Sequence, residues 1–150
     1  MWLFKVIDRA VVLLDRMRGR TRRVPKAFAS RGERVVAAAL DRHGISYETQ
    51  YELGRSVHVD FAVHHQGKLF LVEYDGTQHY RPVKRFGGMP AFILQRVHDV
   101  LENWECRDRG IPLLRIRYDV PYRVIEQMLL DFLDTGKPVN RLNEQDDRHR

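Results

Sequence analysis

The sequence predicts an α/β domain with a mixed central β-sheet flanked by helices. Two observations lead there. Stretches with apolar residues at helical 3-4 spacing alternate with short runs rich in β-branched and aromatic residues, and those runs come first as an adjacent pair and later as a single strand between helices. The expected order is helix-helix-strand-strand-helix-strand-helix, with no internal repeat.

Leu3, Phe4, Ile7, Val11 and Leu14 recur at helical spacing against Lys5, Asp8, Arg9, Asp15 and Arg16, so residues 3–17 read as an extra N-terminal amphipathic helix. The basic run Arg16, Arg18, Arg20, Arg22, Arg23 and Lys26, holding Gly19 and Pro25, reads as a connector with high local positive charge. Ser30-Arg31-Gly32-Glu33 has the capping-box pattern that opens a helix, carried on by Val35, Val36, Ala39, Leu40 and His43 and closed by Gly44. Tyr51 to His64 and Lys68 to Tyr74 then read as two strands of a hairpin joined at Gln66-Gly67.

Pro82 to Pro90, with Gly87 and Gly88, reads as a loop. From Ala91, the residues Phe92, Ile93, Val97, Val100, Leu101 and Trp104 give a second strong helical period, closed by Gly110. Pro112 to Arg117 reads as a short strand, and Tyr122 to Leu133 as a last helix through Val124, Ile125, Met128, Leu129 and Phe132. The division that follows is 1–29 for the basic helix and linker, 30–135 for the domain and 136–150 for a polar tail.

Composition narrows the function. The 150 residues carry 26 Lys+Arg against 20 Asp+Glu, and 43% are hydrophobic, enough for a folded core. Residues 1–34 hold 10 of the basic and 3 of the acidic residues, so the remainder is close to neutral and the whole basic excess lies in the first quarter. Most of the cations are Arg, whose planar donor fork suits phosphate, and a polyanion is the first partner to consider. Cys106, the single cysteine, excludes an intramolecular disulfide and a cysteine zinc cluster; it reads as a buried filler of a protein in a reducing cytoplasm. No apolar run is long enough to span a bilayer, and the N-terminal stretch fits neither a secretory signal nor a transit peptide.

The chemistry concentrates in Val57-His58-Val59-Asp60-Phe61 and Leu71-Val72-Glu73-Tyr74-Asp75-Gly76-Thr77-Gln78-His79. Side chains alternate along a strand, so Glu73 and Asp75 share one face, and Asp60 on the partner strand reaches the same place if the register allows. Three converging carboxylates repel one another unless protons or a cation neutralise them, and hard oxygen ligands suit Mg²⁺ or Mn²⁺. Gly76 lets the strand break sharply and return His79 over the carboxylates as a base or water-orienting group. The plainer reading of Glu73 and Asp75 is a solvated strand face ending in an Asp-Gly turn.

Asp60, Glu73 and a helix bearing Glu33 resemble the PD-(D/E)xK restriction-endonuclease-like core. Glu73-Tyr74-Asp75-Gly76-Thr77-Gln78-His79 with Arg96-Val97-His98-Asp99 resembles its very-short-patch-repair-like branch, in particular phage homing endonucleases with an E-D-x-H-D pattern. The resemblance covers about residues 30–120. It implies Mg²⁺-dependent hydrolysis of a DNA phosphodiester by a nuclease domain. Asp60 and Asp75 would be metal ligands, Glu73 a ligand or water-positioning carboxylate, and His79 the base or the group orienting water. Glu33 would support the site from its helix, His98 and Asp99 would complete it, and Arg96 would contact phosphate or Asp99. Asp75 stands where the motif has lysine, so His79 or His98 must replace that lysine in an active site.

Arg81, Lys84 and Arg85, in the loop after His79, are placed to grip phosphates, as Arg18, Arg20, Arg22 and Arg23 are in the N-terminal segment. Adjacent helix residues diverge by about 100°, so only one of His98 and Asp99 can face the site squarely. Against a stripe formed by Val97, Val100, Leu101 and Trp104, both lie at the margins. His58, His64 and His65 read as structural. Two other readings stay open: a non-catalytic DNA-binding module that keeps the fold, and an N-terminal helix that anchors to a partner protein or membrane surface. Base-reading surface beyond this short domain would come from the N-terminal segment, a homodimer or a partner.

Overall fold

A computed structural model describes residues 30–54 and 57–138 of the chain. The predicted helix over 3–17, the stretch bearing Arg18, Arg20, Arg22 and Arg23, and the tail from residue 139 lie outside the described residues. The elements run in the order α1 (Arg31–Arg42), β1 (Ser46–Glu52), β2 (His58–His65), β3 (Lys68–Asp75), α2 (Gly88–Asp108), β4 (Leu113–Arg117) and α3 (Tyr122–Thr135). They build a four-stranded sheet ordered β1-β2-β3-β4, antiparallel except for the parallel β3–β4 pair that α2 connects. The α/β class and the mixed, helix-flanked sheet agree with the sequence reading.

Helix α1 begins at the capping box. The Ser30 hydroxyl accepts the Glu33 N–H and the Glu33 carboxylate accepts the Ser30 N–H, each at 3.1 Å. Two donors that a helix start leaves free are thereby satisfied. At the second residue of this helix the Tyr74 ring lies directly on Gly32, where even a methyl group would overlap it. The hairpin turn at Gln66-Gly67 has φ +50° and +73° in a two-residue loop, the twist that matches two antiparallel strands.

Three strands follow α1, not the two expected. The run read as one strand from Tyr51 is cut between Glu52 and His58, where the Leu53 N–H bonds to the Val57 carbonyl at 2.9 Å and closes a turn. β1 starts earlier, at Ser46, and alternates exposed Ser46, Glu48, Gln50 and Glu52 with half-buried Tyr47, Thr49 and Tyr51. Its polar edge face dilutes the β-branched signal. Helix α2 also starts three residues before Ala91, at Gly88, after a short 3-10 turn at Lys84–Phe86. Pro90 fits because the first helical turn has no intrahelical partner for its missing N–H.

The sheet is covered on both faces. On one, α1 and α3 pack Val36, Leu40, Ile125, Leu129 and Phe132 onto Phe61, Val63, Val72, Leu114 and Ile116. On the other, α2 brings Leu101 and Cys106 onto Val59, Ala62 and Leu71. Cys106 is the buried filler expected, and burial pushes its thiol up to about 12. No helix among the described residues is long and apolar enough to cross a membrane.

Candidate active site

Pairing of β2 with β3 ends at Phe61↔Val72, and the regular alternation of β2 breaks at the next residue. Val59 belongs to the α2-side core and Phe61 to the opposite core, so Asp60 between them points along the sheet toward β3. Side chains take over the ladder there. The Asp60 N–H donates to Glu73 Oε2 at 2.7 Å, and the Tyr74 N–H donates to Asp60 Oδ2 at 2.9 Å. Gln50, at φ +54°, adds a long 3.4 Å contact to Asp60 Oδ1.

Glu73 and Asp75 share the α2 face, as the alternation predicts, while Val72 and Tyr74 enter the opposite core. Their position is the carboxyl end of the parallel pair, the place where open α/β sheets hold ligands. Across that pair Glu73 lies opposite Arg115 and Asp75 opposite Arg117. The Arg115 guanidinium donates to Asp75 Oδ1 at 2.7 Å, Glu102 Oε2 at 2.8 Å and Asn103 Oδ1 at 3.0 Å, and stands 3.6 Å from Asp99 Oδ1. Tyr80 donates its hydroxyl to Asp75 Oδ2 at 2.9 Å.

His79 lies in the 3-10 turn Thr77–His79 immediately beyond β3 and is 6% exposed. Its Nδ1 is 2.9 Å from Asp99 Oδ1 and 3.5 Å from Asp75 Oδ1. Gln95 Nε2 donates to the same Asp99 oxygen at 3.1 Å, and Arg96 reaches Asp99 Oδ2 and the His79 carbonyl, both at 3.4 Å. When the ring is neutral, a carboxylate at Nδ1 favours the proton there, which leaves Nε2 as the acceptor.

Asp60, Glu73, Asp75, Asp99 and Glu102 are thus gathered near the end of β3, with the Arg115 guanidinium bonded to Asp75 and Glu102. Burial, reinforced by Glu33 and Asp75, raises the Asp60 pKa to about 7 against the opposing Tyr74 N–H. Burial also raises Glu102 to about 7, with Arg115 opposing. Glu73 is held well above its ordinary value by burial and by the Asp60 and Glu102 charges. For His79, burial disfavours the charged ring, but the Asp99 hydrogen bond and the Asp75 and Asp99 charges win and raise its pKa. Asp99 is lowered: burial acts against it, and the His79 and Gln95 hydrogen bonds outweigh that.

Of the residues singled out in the sequence, Asp60, Glu73, Asp75, His79 and Asp99 come together here, with Arg96 at the rim. Others stand elsewhere. Glu33 is engaged in the α1 capping box and adds repulsion to Asp60 from a distance. The expected stripe of α2 is rotated: Asp99 is 4% exposed and faces the site, whereas Val100 is 51% exposed and faces out. His98, about 100° around the helix from Asp99, is half-buried. Arg81, Lys84 and Arg85 are exposed, and Arg85 lies over the Phe86 ring.

Gly76 does not need its backbone freedom, since its φ of −70° and ψ of 174° are open to any residue. The Gln78 amide folds back toward it, and a Cβ there would meet Gln78 Oε1 at 2.5 Å, the far end of a flexible side chain. His64 pairs with Glu48 on the exposed β1–β2 surface, in keeping with a structural role.

Sequence reasoning missed Arg115, Glu102, Tyr80 and Gln95. A signal existed for part of this set: Gln95, Asp99, Glu102 and Cys106 recur at helical 3-4 spacing, a polar line on the buried side of α2. Arg115 and Arg117 alternate with Leu114 and Ile116 and read as a solvated strand face, until β4 pairs with β3.

Carboxylate oxygens suit a divalent cation, and the Asp60 and Glu73 pKa values are raised first by burial and then by neighbouring carboxylate charge, the part that such an ion would offset. In donor type and charge the residues fit Mg²⁺ or Mn²⁺. Among the described residues, no three His, Cys, Asp or Glu side chains stand in the arrangement of a formed metal site, and Asp75 already has Arg115 and Tyr80 on its two oxygens. Comparison with protein-family models, curated proteins and solved structures finds no match.

Proposed function

We propose that the chain is a metal-dependent endonuclease with a restriction-endonuclease-like core, hydrolysing DNA phosphodiester bonds at the carboxyl end of β3. The observation that carries this reading is the meeting of Asp60, Glu73 and Asp75 beside a His79–Asp99 pair. Asp60, Glu73 and Asp75 would hold the ion. When bound it supplies Lewis-acid stabilisation of charge on the phosphate oxygens and makes water easier to deprotonate.

The chain's own residues do the rest. Asp99 fixes the His79 tautomer and ring orientation, which leaves Nε2 to take a proton from water. Arg115 balances the carboxylates and orients Asp75. No lysine is required to bring a cation to Asp75, because β4 delivers Arg115 across the parallel pair. Arg81, Lys84 and Arg85, together with the arginines of the N-terminal segment, would hold DNA through its phosphates.

Plasmid DNA incubated with the protein and Mg²⁺ is expected to be nicked or linearised, and Asp60→Ala and Asp75→Ala should abolish the reaction. Equal persistence of intact plasmid with wild type and both variants would sink the reading. One observation favours a non-catalytic DNA-binding module: Arg115 and Tyr80 already satisfy Asp75 without any ion. That reading predicts salt-sensitive DNA binding unaltered by EDTA and by Asp75→Ala.

A further inference from the structure

One guanidinium joins β3 to α2. Arg115 donates through Nη1 to Asp75 Oδ1 at 2.7 Å and through Nη2 to Glu102 Oε2 at 2.8 Å, so its fork straddles two carboxylates and closes on neither. Glu102 is 5% exposed, and its other oxygen, Oε1, is buried and meets no donor among the described residues. A buried acceptor without a donor is destabilising, and a guanidinium pairs best with both oxygens of a single carboxylate. Arg115 therefore has a second position within reach, the two-oxygen pairing with Glu102, which it forgoes by holding Asp75. Asp75 in turn has Oδ1 taken by Arg115 and Oδ2 by Tyr80, although it is one of the three proposed ion ligands. The nuclease reading alone does not say what frees it.

We infer that Glu102 is a positioning residue for the cation site: when a divalent ion engages Asp75, Glu102 receives Arg115 on both of its oxygens and so releases Asp75 Oδ1 for coordination. The movement is small. Nη2 already lies on Glu102, and the bond that breaks is the one from Nη1 to Asp75. One cation replaces another at Asp75, Oε1 gains the donor it lacks, and no proton is transferred. The two positions of Arg115 exchange one charge-assisted hydrogen bond for another, so an ion that binds only one of them shifts the balance between them. By linkage, whatever draws Arg115 off Asp75 strengthens ion binding there by the same factor. The proposal rests on the reading of Asp60, Glu73 and Asp75 as ion ligands, not on DNA as the substrate.

The test uses the full chain at pH 8 with Mn²⁺ as the probe, bound ion being measured by electron paramagnetic resonance. Glu102→Gln, which leaves the guanidinium no second carboxylate, is expected to weaken Mn²⁺ binding by about 10- to 100-fold, as loss of a partner behind a ligand does. Glu105→Gln removes a carboxylate of the same helix that pairs with Arg109, and should leave Mn²⁺ binding unchanged. In nitrogen-15 spectra, Mg²⁺ should shift the Arg115 guanidinium signals of wild type with the midpoint of binding and leave those of Glu102→Gln in place. Thermal melting checks that the variants fold, and the wild-type spectra decide alone if Glu102→Gln does not. Equal Mn²⁺ affinity of wild type and folded Glu102→Gln, or saturation with Mg²⁺ that leaves the wild-type Arg115 signals unmoved, overturns the proposal. Failure of folded wild type to bind either ion overturns it together with the ion site. Plasmid cleavage is read separately in Mg²⁺. Cleavage with Arg115 unmoved leaves the nuclease reading standing without the exchange, and exchange without cleavage counts against the nuclease reading and leaves the role of Glu102 intact.

Discussion

Arg115 is the residue on which the candidate site turns. It is 19% exposed at the side chain and bonds Asp75 and Glu102 at once. Removing one partner of a buried ion pair leaves the other charges uncompensated, so Arg115→Met is expected to lower stability by about 3–5 kcal/mol at pH 7.5 in urea unfolding. The loss should shrink at pH 5.5, where Glu102 takes up a proton. The sign follows from Glu102 itself, whose folded pKa is raised to about 7. Between the ordinary carboxylate range and about 7 the folded protein holds a proton that the unfolded chain has released. Stability therefore falls as pH rises through that window, and Glu102→Gln should flatten the slope measured there. In the proposed nuclease, Asp99 acts through His79. Asp99→Asn should reduce kcat by about 10²- to 10⁴-fold, the worth of a positioned general base. It should also move the acidic limb of the pH–rate profile, where a general base loses its proton, to lower pH, because the Asp99 charge that helps raise the His79 pKa is removed.

At the scale of elements, the register of β3 and the start of α1 decide what the site looks like. The Tyr74 side chain leaves β3 on the face opposite Glu73 and Asp75, lies on Gly32 and donates its hydroxyl to the Tyr118 carbonyl at 3.3 Å. Alanine in a helix is ordinarily more stable than glycine, yet here the added methyl has no room. Gly32→Ala is expected to destabilise the protein by about 1–3 kcal/mol through overpacking, seen as a lower melting temperature. A gain in stability would mean that Tyr74 moves away at little cost. The capping box and the Gln66-Gly67 turn were legible because each depends on residues within a few positions of one another. The split of the β-rich run and the early start of α2 were not, since an edge strand with a polar face and a proline in a first helical turn both weaken the local pattern.

For the whole molecule, a divalent ion held by the gathered carboxylates, as proposed, would couple stability to cations. Ions that bind only the folded state stabilise it by mass action, by about 2.7 kcal/mol at a hundredfold excess over Kd. Mg²⁺ or Mn²⁺ should therefore raise the melting temperature, more at pH 8 than at pH 5.5, because a proton occupies Asp60 at the lower pH and Glu73 too is raised by burial and neighbouring charge. EDTA should reverse the shift and Asp60→Asn should remove it. The sequence by itself determined the α/β class, the ends of α1, the hairpin turn and the shared face of Glu73 and Asp75, because periodicity, capping and turn chemistry act over a few residues. Tertiary structure alone decided that Asp60 leaves the strand alternation to meet Glu73, that α2 turns Asp99 inward and Val100 outward, and that Arg115 lands opposite Glu73. Those outcomes depend on pairing between strands some 40 residues apart and on which face of α2 the sheet accepts, and no local pattern encodes either.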